Sequence, residues 1–161
     1  MLVVVSTVGA ALTAAAAVVG ASVSAIAAPA DDTQPSAVED GAYPGADQIL
    51  RDRGITLISG DGHLQLTTCG LPGLVEVHAD ANQDHDRDPG HFCFKVSGPT
   101  GYLKLQIADA YQVMGDDHSV QATVTVKGQT STVNVAKHGW TGIGVGAGPD
   151  PAMLVELKAA P

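Results

Sequence analysis

The chain has 161 residues, 17 acidic and 8 basic side chains, a net charge of −9, and only 4% aromatic residues. Such an acidic surface repels polyanions, so nucleic acid is excluded as a partner, while cations and cationic or neutral polymers remain compatible. Two cysteines allow one pairing.

The first thirty residues carry no charge. Residues 2–28 are mostly Ala, Val, Ser and Gly and end in Ala25-Ile26-Ala27, a small-x-small pattern of the kind cleaved by signal peptidase. We read 1–27 as a Sec-type signal peptide, although no Lys or Arg precedes the apolar run; a retained membrane anchor is the competing reading. The expected location is therefore secreted, with no membrane association after cleavage. Residues 28–42 are acidic, contain proline and lack apolar periodicity, so they read as a disordered leader. One domain is expected over 43–160.

Pro44 to Gly54 is the one helical segment expected, with Ile49 and Leu50 as its apolar pair and Gly54 as its stop. At about two turns it needs tertiary support, which Ile49, Leu50 and Tyr43 are expected to supply. Beyond Gly54 the period becomes two. Strands are expected at 55–59, 63–69, 74–78, 91–96, 102–107, 120–126, 130–135 and 153–157. Asp61-Gly62 predicts a hairpin between the first two. Residues 109–117 read as a connection, and 138–150 as a glycine-rich loop. About eight short strands with turns between them predict an all-β, antiparallel β-sandwich with one short N-terminal helix.

In an exported chain, Cys69 and Cys93 are expected to form a disulfide. Cys93 alternates with Phe92 and Phe94, so the bridge belongs on the face away from the core, or at a sheet edge. No C-x-x-C motif suggests redox activity.

Asp80, Asn82, Asp84, Asp86 and Asp88 recur at every second residue. This resembles the start of a calcium loop, where alternate oxygens converge on a hard cation. His85 stands where such a loop needs Gly, and His91 where it needs Glu; the competing reading is an acidic, solvated turn. Gly60-Asp61-Gly62-His63 and Gly115-Asp116-Asp117-His118 each place a His just after an Asp at a strand start. If they meet, Asp61, His63, Asp116 and His118 would suit zinc or an active site; otherwise these are ordinary turn residues. Trp140, the only tryptophan, could stack on a sugar or anchor a partner. The shortage of aromatics favours instead its plugging one end of the core. Nucleophile-elbow, zinc-protease and phosphate-loop motifs are all missing.

The runs YPGADQILRDRGITLISGDGHLQLTTCG, FCFKVSGPTGYLKLQI, GDDHSVQATVTV and HGWTGIG with LVELKA resemble a group of small secreted actinobacterial proteins of uncharacterised activity. That resemblance implies secretion, the disulfide and a β domain. Strand rhythm and the late Trp-Thr give a looser likeness to pre-peptidase C-terminal and carbohydrate-binding β-sandwich modules. The expectation is a non-catalytic exported binding or interaction module, whose partner is a cell-wall polysaccharide or a secreted protein. The alternative is a small secreted hydrolase using the Asp/His turns, with or without a metal. Calcium is the cofactor to consider.

Overall fold

A computed structural model describes residues 41–80, 83–115 and 117–161. The expected signal peptide, the leader up to residue 40, Asn82 and Asp116 lie outside the described residues. The elements are helix α1 (Ala46–Arg53) and strands β1 (Thr56–Gly60), β2 (Leu64–Thr67), β3 (Leu74–Ala79), β4 (His91–Val96), β5 (Gly101–Met114), β6 (Ser119–Val126), β7 (Gln129–Val135), β8 (Trp140–Gly142) and β9 (Ala152–Ala160). A single turn of 3-10 helix covers Gly144–Gly146. The all-β class and the short helix match the sequence reading. No helix among the described residues is long and apolar enough to cross a membrane.

Every strand pair is antiparallel. Hydrogen bonding is continuous through one nine-stranded sheet in the order β2-β4-β3-β5-β9-β6-β7, with β1 and β8 also paired to β5. The 14-residue β5 makes this possible. Its first half pairs with β1 and β9, and its second half with β3 and β8. Register shifts between Ile107 and Ala110 on the β9 side, and opposite His78/Ala79 on the β3 side, mark bulges. Asp109 there has φ 53°. Bulges bend a strand and re-aim its side chains, and here they turn β5 from one arm of the sheet into the other. They also break the alternation, which is why residues 109–114 look like a connection in the sequence.

The buried side chains of both arms form one apolar cluster, including Leu57, Leu64, Val77, Phe92, Phe94, Leu105, Val113, Val124 and Leu157. The arms meet at the start of β5, where a Cβ on Gly101 would lie 3.2 Å from the Leu64 Cβ. Two expectations fail. β1 and β2 do not pair with each other across Asp61-Gly62; β1 joins β5 and β2 joins β4. The Asp61 carboxylate accepts the His63 amide at 2.9 Å, so the turn is local, but burial of the apolar faces directs each strand to a different partner. Leu50 is exposed, whereas Ile49 and Tyr43 pack against the core. A helix this short presents one narrow face, and Ile49 takes it. The Tyr43 hydroxyl also accepts the Leu66 amide at 2.8 Å.

The glycine-rich loop is spent on packing. A Cβ on Gly146 would collide with the Tyr111 carbonyl, and one on Gly142 with the Gly146 carbonyl. The loop is laid against β5, and the Ile143 amide donates to Tyr111 O at 2.9 Å.

Candidate functional site

The face of β3, β4, β5 and β8 turned away from the core carries a cluster of polar side chains that includes Glu76, His78 and His91. On β3, Val75 and Val77 point inward, leaving Glu76 and His78 outward. Directly paired residues share a face. Register therefore adds Cys93 and His91 from β4, Met114 and Gln112 from β5, and Trp140 from β8, opposite Met114.

His91 is the hub. Its Nδ1 lies 2.8 Å from Asp88 Oδ2 and its Nε2 2.9 Å from Glu76 Oε2. Burial pulls its pKa down, but hydrogen bonds to Asp88 and Glu76 outweigh this and hold it above the usual histidine value. The reverse holds for His78, which is pushed down first by burial and then by the charge of His91. The two rings are edge-to-face at 4.4 Å between centroids, and the Trp140 ring lies 4.9 Å from His78. His78 Nε2 is buried and has no hydrogen-bond partner. One side chain atom from each of Glu76, His78 and His91 lies within 4.8 Å of the others.

The Cys69–Cys93 disulfide is formed, with Cα atoms 5.3 Å apart. It ties the segment after β2 to β4, on the outer face as the alternation predicts. Cys93 is fully buried nonetheless, and its Sγ lies 3.4 Å from His91 Nε2. Because both sulfurs are bonded to each other, they are not thiolate ligands. Beside the bridge is a cleft of about 380 Å³ lined by Arg53, Thr68, Cys69, Gly70, Asp86, Asp88 and His91.

The acidic loop between β3 and β4 is organised by Arg53. Asp84 has no exposed side chain area and faces Arg53 Nε at 2.7 Å and Nη2 at 3.1 Å. It also accepts the amides of Asp86 at 3.1 Å and Gly90 at 2.9 Å. Burial raises the Asp84 pKa, but the Arg53 bond and the two amides prevail and hold it below the usual carboxylate value. Asp86 Oδ2 lies 3.6 Å from Arg53 Nη1, and Asp86 Oδ1 accepts the Asp88 amide at 3.2 Å. Asp88 turns to His91. Asp80 sits at the end of β3, its amide donating to Asp109 O at 3.1 Å. The carboxylates of Asp84, Asp86 and Asp88 thus face a guanidinium, an imidazole and backbone amides. The loop also grips the helix, because the His85 amide donates to Asp52 O at 3.0 Å.

His63 and His118 both approach the turn at Gly98. A Cβ on Gly98 would lie 3.7 Å from the His63 ring, and His118 Nε2 is 3.0 Å from Gly98 O. Among the described residues neither joins a cluster able to hold a metal, and Asp61 joins none either. Trp140 is 45% exposed, which corrects the expectation that it plugs the core. β8 is the short strand that places it on the outer face, while Phe92 and Phe94 fill the interior from β4.

Comparison with protein-family models and with curated proteins finds no match to this chain. The sequence reading missed Glu76, His78 and His91 as a group. The signal was present as two polar residues alternating with buried Val on β3, opposite a His that begins β4, but only the β3–β4 register turns that into proximity.

Proposed function

We propose that the chain is an exported, non-catalytic binding module, that the outer face of β3, β4, β5 and β8 is its binding surface, and that its ligand class is a neutral or cationic polymer such as a cell-wall polysaccharide. The observation that carries this reading is Trp140, half exposed and braced edge-on by His78. An indole held on a strand presents a flat apolar surface at little entropic cost, and such surfaces mark binding sites. On the same side of the sheet, Asp88 lines the cleft beside the disulfide and supplies a carboxylate acceptor for hydroxyl or ammonium groups. The disulfide supports export, since such bonds persist in oxidising compartments, and so does the uncharged, small-residue N-terminal run.

The test is retention on insoluble polysaccharides, including purified cell wall. Wild type is expected to be retained and Trp140→Ala to elute freely, with Trp140→Phe in between. Equal retention of wild type and Trp140→Ala would defeat the reading.

A further inference from the structure

We propose that Glu76, His78 and His91 form a three-ligand site for a divalent transition-metal ion, with zinc as the best chemical match. Two imidazoles and one carboxylate are a donor set that suits zinc, leaving a fourth position open. Zinc bonds of about 2.0–2.2 Å place tetrahedral donors roughly 3.4 Å apart. The three side chains bring their donor atoms within 4.8 Å of one another, so side-chain adjustments of about an ångström close the site. Glu76 and His91 are nearer than that already, at 2.9 Å.

Two further observations point to an ion. The Asp88 carboxylate engages His91 Nδ1 at 2.8 Å, which turns Nε2 toward Glu76; an ion bound between them would replace the proton that Nε2 shares with the Glu76 carboxylate. A carboxylate behind a ligating histidine is the usual outer partner in zinc sites, fixing the tautomer and raising ligand basicity. His78 Nε2 is buried without a hydrogen-bond partner, an arrangement that costs stability unless something satisfies the nitrogen. The side chains of His91 and Glu76 retain 21% and 18% exposure, so an ion can reach them from solvent. The proposal does not depend on polysaccharide recognition: the site is read by metal alone.

The experiment is titration of the full, disulfide-bonded chain with zinc by calorimetry, and with cobalt(II) by its visible spectrum. One ion per chain is expected, with the intense absorption of a four-coordinate cobalt centre. His78→Ala should weaken binding at least about 100-fold, and Asp88→Asn, which keeps every ligand, by about 10–100-fold. His63→Ala and His118→Ala should bind as wild type does. Circular dichroism of each variant checks the fold, and Asp88→Asn provides the answer if His78→Ala unfolds. Lack of one-to-one binding by wild type overturns the proposal. So does unchanged affinity in a folded His78→Ala or in Asp88→Asn, and so does loss of binding in His63→Ala or His118→Ala. Failure of polysaccharide retention with zinc binding intact would defeat only the glycan reading.

Discussion

Replacing Asp84 with Ala tests the claim that the acidic loop is a clamp on the helix. In the native protein the carboxylate is fully covered and takes two bonds from Arg53 and two from backbone amides. The substitution leaves a largely buried guanidinium (its side chain is 15% exposed) with His91 O at 2.9 Å, the longer Asp86 contact and the Phe92 ring 5.0 Å below it. It also strips the Gly90 and Asp86 amides of their acceptor. Removing one partner of a buried pair costs about 3–5 kcal/mol, and an orphaned buried donor alone costs about 1–3 kcal/mol. These overlap, so we expect a loss of about 3–5 kcal/mol, or a Tm lower by roughly 10–20 °C for a domain of this size. Urea unfolding gives the free energy, and a cycle with Arg53→Gln gives the coupling. A loss below about 1 kcal/mol, or no coupling to Arg53, would refute the clamp. The pH dependence has a defined sign. The folded Asp84 pKa is depressed, so its contribution is complete above the unfolded carboxylate value and is lost as pH falls through the folded value. The groups facing it are Arg53 and, beyond that, Asp86. Asp84→Asn should therefore flatten the acid limb of the wild-type stability curve.

Three other outcomes are expected. Cys69→Ser with Cys93→Ser opens a bridge spanning 24 residues and should cost about 3 kcal/mol on the chain-entropy model, read as a lower urea midpoint; an unchanged midpoint would deny the bridge a stabilising role. Gly54→Ala should cost about 1–2 kcal/mol, because Gly54 closes α1 at φ 67° and a Cβ there would lie 3.0 Å from the Gln83 Cβ; a Tm within a degree of wild type would contradict the close approach. Millimolar calcium against a chelator should leave Tm unchanged, since Asp84 is held by Arg53 and Asp88 by His91; a rise of several degrees would return the loop to calcium.

Much of the fold was legible because side-chain alternation is a local property. Leu64 and Leu66, Phe92 and Phe94, and the valines of 120–126 announce strands and their buried faces. The same alternation puts Cys93 away from the core, and the lone cysteine pair leaves no choice of partner. Gly54 ends the helix where its backbone freedom predicts, with φ 67° and its amide on Leu50 O. The β8 strand was not legible. Three residues, Trp140 to Gly142, sit in a glycine-rich stretch and become a strand only because β5 offers a free edge there.

The sequence by itself determined the acidic charge, the all-β class, the position of the helix and the disulfide, because each depends on composition or on neighbours along the chain. Tertiary structure alone decided which strands pair, where β5 bends and what lies beside what. The β3–β4 register brings His78 opposite His91, β8 lays Trp140 on the same face, and Arg53 draws Asp84 out of the acidic run and into a buried clamp. Pairing joins residues far apart in the chain and is chosen by the shared burial of apolar faces, so no local pattern encodes it.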